Sequence, residues 1–252
     1  MIPDSARAAL KDRFPNYDFD EATGIGESYT SQRFYVGRSR AQPPLFVKHA
    51  VAPYVGPETY AARISSSLAF APSLYDVVFV EDELLLVFEY VDSRPLSHLG
   101  GAELISLGPG LGDLLTDLHN TPAPQGLADA SFFVIAEERA PGLLAAVSGL
   151  ERSAWVHNDP HLNNLLIDHT GRLWLIDWTH SGFGRAAWDW ATLAIAYHAV
   201  CPTRLHIPQD IEDEYRDLLQ GAQSAFGVLQ EEKPHPRYSS WADAAGRLLA
   251  IR

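Results

Sequence analysis

The chain has 252 residues, 46 % hydrophobic and 20 % charged. This composition excludes disorder as the dominant state and fits one large domain or two lobes sharing a core. Nineteen basic residues against thirty-two acidic ones leave a formal charge of −13, which opposes nucleic-acid binding and reads first as solubility, second as attraction for a cationic small substrate. With a single cysteine, Cys201, no apolar run long enough to span a bilayer and no signal-peptide pattern at the start, the expectation is a cytoplasmic protein without a membrane partner.

Ala6, Leu10 and Phe14 recur at i+4 spacing behind Ser5, which predicts an amphipathic N-terminal helix capped by that serine. Short β-rich runs follow at 17–23, 31–38, 45–50, 76–81 and 84–91, the last two forming a hairpin around Glu81-Asp82-Glu83. Between the third and fourth of these runs a helix is expected over 57–68, with Pro57 in its first turn. Asp92-Ser93-Arg94-Pro95 then breaks the strand, and the remainder is mostly helical. Leu111, Leu114, Leu115 and Leu118 predict a core helix over 109–119 that starts at Pro109. Two short strands at 165–167 and 173–176 flank the turn sequence Asp168-His169-Thr170-Gly171, and helices are expected over 185–200, 209–229 and 240–251. The pattern is α+β: a β-rich lobe over 1–91 and an α-rich lobe over 92–252, with a cleft expected between them.

The densest polar cluster runs from His157 to Asn164, directly ahead of an apolar strand, and a second apolar strand ends in Ile176-Asp177-Trp178. Carboxylates at strand ends are costly to bury unless something positive meets them, and oxygen ligands such as Asp159, Asn164 and Asp177 suit Mg²⁺ better than zinc. Two plainer readings compete: a zinc hydrolase using His157, Asp159 and His161, or an ordinary acidic turn.

The pattern His157-x-Asp159-x-x-x-x-Asn164, followed by Ile176-Asp177-Trp178, Gly184 and Asp189-Trp190-Ala191, resembles the catalytic core of aminoglycoside phosphotransferases and choline kinases, relatives of protein kinases. The resemblance implies a bilobal kinase-like fold, with an antiparallel sheet and one main helix in the N-lobe and a helical C-lobe. It also implies that Asp159 orients the acceptor hydroxyl and takes its proton, and that Asn164 and Asp177 hold Mg²⁺ against the nucleotide. His157 and Asp189 would support the loop. In the N-lobe Lys48, ending the run Leu45-Phe46-Val47, looks like the family's phosphate-contacting lysine, and Glu58 is the only acid between Lys48 and Asp76 to pair with it. The plainer reading is an edge lysine and a glutamate favouring a helix N-terminus. Gly24-Ile25-Gly26-Glu27-Ser28-Tyr29 sits where a loop over the phosphates is expected, with Gly24, Gly26 and Ser28 as contacts, although Tyr29 stands where protein kinases place a third glycine. By resemblance Phe88-Glu89-Tyr90-Val91 is the hinge, where Phe88 and the backbone of Glu89 and Val91 meet the nucleobase. ATP is the default nucleotide, with GTP left open.

The acceptor is less marked. Residues 209–217 carry five acids, among them Asp210, Asp213 and Glu214, which suit a cationic acceptor or simply form a solvated helix face. Trp178, Trp188 and Trp190 suggest either an aromatic box or core packing, and His161 lies beside the loop. Thr179 stands where many family members carry Glu, which removes an acidic contact. The expectation is an ATP-dependent kinase, monomeric or homodimeric, acting on a hydroxyl-bearing small molecule, most readily an antibiotic or natural product. A metabolite such as choline or ethanolamine, or a nucleotide-binding pseudokinase, is the alternative.

Overall fold

In a computed structural model of the chain the described residues are 3–21, 33–50, 55–80, 83–127, 154–232 and 236–251. They divide into two compact units, Met1–Ser93 and Arg94–Arg252. Among the described residues no helix is long and apolar enough to cross a membrane.

The first unit holds helix α1 (Asp4–Arg13), strands β1 (Asp18–Glu21), β2 (Arg33–Arg38) and β3 (Leu45–Ala50), helix α2 (Val55–Ser65), and strands β4 (Leu74–Val80) and β5 (Glu83–Glu89). The strands form one antiparallel sheet in the order β1-β2-β3-β5-β4. Strand β5 reads as an unbroken apolar run because both of its faces are covered. Leu85 and Val87 join Ala6 and Leu10 of α1 in one cluster, while Leu84 and Leu86 pack with Ala50 and Ala62 of α2 in the other. The expected Ser5 cap is corrected: α1 starts at Asp4, Pro3 supplies an extended entry at φ −57°, ψ 146°, and no side chain caps it. Proline has no N–H to leave unpaired there, and Asp4 in the first turn complements the helix dipole instead. An ion pair from Arg13 to Asp76 then ties α1 to β4. At Gly37 of β2 a Cβ would lie 2.5 Å from Phe19 Cε1, so only glycine lets that ring cover the strand.

The second unit holds β6 (Ser93–Pro95), a 3-10 turn at Leu96–His98, α3 (Gly101–Asn120), β7 (Ala154–Val156), β8 (Leu165–Asp168), β9 (Leu173–Leu175), β10 (Gly182–Gly184), α4 (Ala186–Val200), α5 (Glu212–Glu232) and α6 (Pro236–Ala250). Strands β6, β8 and β9 form one small sheet, and β7 pairs with β10. The predicted start at Pro109 is corrected, since α3 runs through it from Gly101. Proline removes the bond to the carbonyl four residues back, but that residue, Ile105, is 51 % exposed, so water can serve its oxygen. One residue earlier Tyr197 donates to the Leu104 carbonyl. At Gly112 the indole of Trp190 comes so close that a Cβ would sit 3.4 Å from it, which sets α4 tightly against α3.

Helix α4 is buried on all sides from Ala187 to His198, so its sequence carries no amphipathic stripe. The turn between β8 and β9 closes on Asp168, whose carboxylate accepts from the Thr170 hydroxyl at 2.6 Å, the Trp174 indole at 3.0 Å and two backbone N–H groups. These donors hold Asp168 well below the usual carboxylate range.

Tyr215 of α5 is 1 % exposed, its hydroxyl finds no hydrogen-bond partner among the described residues, and burial pushes its pKa up to about 12 from 10.0. Tyr215→Phe is therefore expected to melt at or above the parent temperature at neutral pH, by up to about 1 kcal/mol of added stability. The sign at high pH follows from linkage. The unfolded phenol loses its proton near pH 10 while the folded one keeps it to about 12, so unfolding gains over that window. Stability of the parent should fall between pH 10 and pH 12 more steeply than that of Tyr215→Phe, which denaturant titration at each pH will read.

Candidate active site

The loop between β7 and β8 is held backbone atom by backbone atom. Asp189, in the first turn of α4, is fully buried, and its carboxylate accepts the N–H of His157 at 2.9 Å and of Asn158 at 2.7 Å. A third donor, Nε2 of His119 at the end of α3, lies 3.0 Å away. Three donors let this carboxylate sit in the interior. The carbonyl of Asn158 in turn accepts the Trp188 indole N–H at 3.1 Å. Asn158 has φ 75°, a left-handed conformation that asparagine tolerates, and its side-chain amide donates to the His180 carbonyl.

His157 is fully buried, and desolvation pushes its pKa below the ordinary histidine value. Its neutral ring donates from Nε2 to the Ile176 carbonyl at 2.9 Å and accepts the Asp159 N–H on Nδ1 at 3.2 Å. Both nitrogens are thus spent on the backbone, which removes His157 from the zinc reading. Among the described residues no group of three or more His, Cys, Asp or Glu could hold a metal ion.

The carboxyl of Asp159, 29 % exposed, accepts Asn164 Nδ2 at 3.2 Å and lies 3.5 Å from His161 Nε2. Asn164 Nδ2 also donates to the Asp159 carbonyl at 3.0 Å, which leaves its Oδ1 as the ligating end of the amide. The Asn164 carbonyl accepts the Ile176 N–H at 2.9 Å, so the residue before Asp177 is bonded to Asn164 itself. Asp177 is exposed and left-handed, at φ 62°, ψ 64°, at the entry of a 3-10 turn, Trp178–His180. An amide oxygen and a carboxylate at neighbouring strand ends form a hard oxygen donor set, and that set fits Mg²⁺.

Other expected site residues fall elsewhere. Trp178 is corrected from an acceptor contact to a wedge: it is 5 % exposed, its N–H bonds the Leu175 carbonyl, and its ring meets His157 edge-on at 4.7 Å. Trp188 and Trp190 are buried as well. Glu214 is ion-paired with the buried Arg185, whereas Asp210 and Asp213 are exposed. His161 is met edge-on by Trp241 of α6 at 6.2 Å.

In the first unit Lys48 is 7 % exposed on β3, opposite Phe34 and Leu86, and Glu58 belongs to α2. Phe88 and Glu89 end β5, with Val91 just beyond. The Glu89 N–H is committed to the Ser73 carbonyl and the Val91 carbonyl to the Ser93 hydroxyl. The glycine loop with Gly24, Gly26 and Ser28 and the hairpin turn at Glu81-Asp82 lie outside the described residues, as does the Glu58 side chain. His119, Trp188 and Trp241 were not assigned to the loop by sequence reasoning. Only the position of His119 at a helix C-terminus offered a hint.

The model of the phosphotransferase enzyme family matches residues 133–235. No curated protein matches the sequence. Among solved structures, a choline kinase, LicA from Streptococcus pneumoniae, is similar at 16 % identity and TM-score 0.63 over 98 % of both chains. Aminoglycoside phosphotransferase APH(4)-Ia is similar at 16 % identity and TM-score 0.62 over 98 % of this chain and 97 % of that one. An aminoglycoside-3'-phosphotransferase of type VIII reaches 19 % identity and TM-score 0.58 over 97 % and 98 %. The family match falls on the segment that holds the catalytic loop, and the fold is shared with these kinases, so both agree with the resemblance carried by that loop.

Proposed function

We propose that the protein transfers the γ-phosphate of ATP to a hydroxyl of a small molecule of the antibiotic or natural-product kind. The observation that carries this reading is the pairing of Asp159 with Asn164 on a loop whose backbone is fixed by a buried carboxylate, beside Asp177. Support for the acceptor class comes from similar structures described as complexes with hygromycin B and with spectinomycin.

Phosphoryl transfer needs alignment and charge neutralisation more than covalent help. Asp159 accepts the proton of the acceptor hydroxyl as its oxygen bonds the γ-phosphorus and the bond to the β-phosphate oxygen breaks. Asn164, through Nδ2, holds the Asp159 carboxyl in place, and its Oδ1 together with Asp177 would hold Mg²⁺. Mg²⁺, when bound there, neutralises charge on the nucleotide phosphates. Lys48 contacts phosphate, and the Glu89 carbonyl and Val91 N–H are the hinge groups left to read the nucleobase.

The test is mass spectrometry of the protein with Mg-ATP and a panel of aminoglycosides, peptide and nucleoside antibiotics, macrolides, choline, ethanolamine and sugars, with Asp159→Asn as control. One phosphate gained on an antibiotic supports the proposal. Gain on choline or ethanolamine alone moves the assignment to a metabolite kinase, and no product in a Mg-ATP-stabilised protein moves it to a pseudokinase. Asp177→Ala should also abolish most of the Mg²⁺-dependent part of thermal stabilisation by ATP, which for a parent at a hundred times Kd is about 2.7 kcal/mol. Equal stabilisation of parent and variant would remove Asp177 from the metal site.

A further inference from the structure

The carboxylate of Asp177 is exposed, and a free aspartate side chain in that setting rotates among staggered positions. It is not free here. The Thr179 hydroxyl donates to Asp177 Oδ1 at 2.8 Å. The backbone at both ends of this contact is fixed: Asp177 sits at φ 62°, ψ 64°, Trp178 is wedged between the Leu175 carbonyl and the His157 ring, and Ser181 N–H closes the turn on the Trp178 carbonyl. A rigid turn therefore aims a hydroxyl at one oxygen of the carboxylate.

We infer that Thr179 is a positioning residue that sets the Asp177 carboxylate for its divalent cation, an inference that rests on Asp177 being a metal ligand. Hydrogen bonds from outside the ligand shell fix ligand orientation, and their loss costs about 10–100-fold in metal affinity or activity. An exposed carboxylate on a short side chain belongs at the lower end of that range. The γ-methyl of Thr179 makes no such bond, so the effect follows the hydroxyl and not the side-chain volume.

The experiment measures Mn²⁺ binding by electron paramagnetic resonance in the parent, Thr179→Val, Thr179→Ala and Thr179→Ser, each with saturating non-hydrolysable ATP analogue, and Asp177→Ala beside them. Metal-free melting temperatures identify any variant that fails to fold, and the remaining hydroxyl-free variant then carries the comparison. Val and Ala are expected to bind Mn²⁺ about tenfold more weakly, and Ser to return to within about twofold of the parent. Val or Ala binding as tightly as the parent, or Ser as weakly as Val, overturns the positioning role. If Asp177→Ala also binds as the parent does, the metal assignment itself falls and takes this role with it. If Asp177→Ala loses the metal while Val and Ala keep it, only Thr179 is displaced.

Discussion

Asp159→Asn is expected to slow phosphoryl transfer by about 10²–10⁴-fold while leaving nucleotide affinity within about twofold. The substitution keeps the shape of the side chain and an oxygen that can still accept from Asn164 Nδ2, so the loop has no reason to move. What disappears is the group that takes the proton of the acceptor, and that proton moves only during transfer. Rates measured at saturating substrates, set against calorimetric affinity for a non-hydrolysable ATP analogue, separate the two quantities. A variant that transfers at the parent rate would remove Asp159 from the role of base. Tenfold weaker nucleotide binding would instead show that the carboxylate serves the nucleotide.

The second large effect lies at Asp189, away from the reacting atoms. Asp189→Ala leaves three buried donors without an acceptor: the N–H groups of His157 and Asn158 and Nε2 of His119. Each orphaned donor costs about 1–3 kcal/mol, less whatever relaxation or water recovers, so the loss should be about 3 kcal/mol or more. For a chain of this size that corresponds to a melting temperature lower by about 6–12 °C. Transfer should fall sharply even well below the new midpoint, because Asn158 holds a left-handed conformation only while its neighbours enforce it. Differential scanning fluorimetry and a transfer assay at low temperature check both parts. A melting temperature within about 2 °C of the parent would mean that water replaces the carboxylate.

Much of this was readable from residue order, and the reasons differ by element. The loop from His157 to Asn164 declares itself because its polar side chains precede an apolar strand, and β8, β9 and α4 follow from runs of apolar residues. The three-residue strands β7 and β10 were not readable, since each is a strand only because the other pairs with it. Pro109 reads as a helix start by propensity, and the longer α3 was set by tertiary packing, with Leu104 buried upstream. His119 meets Asp189 across seventy positions, a closeness that no local pattern encodes. Trp178 and Glu214 looked like substrate contacts because tryptophan and acid clusters serve in both roles. Their partners, the Leu175 carbonyl and Arg185, decide for packing.

The carboxylate that fixes the catalytic loop is mounted on a helix enclosed on every side, and that mounting shapes how the protein fails. The amides of His157 and Asn158 donate to a carboxylate that is itself fully buried, so their hydrogen exchange should proceed with the opening of the whole second unit. Heat or denaturant would then not yield a folded but slack enzyme. Loss of catalytic alignment and loss of the domain would be the same event, seen by two probes as one transition.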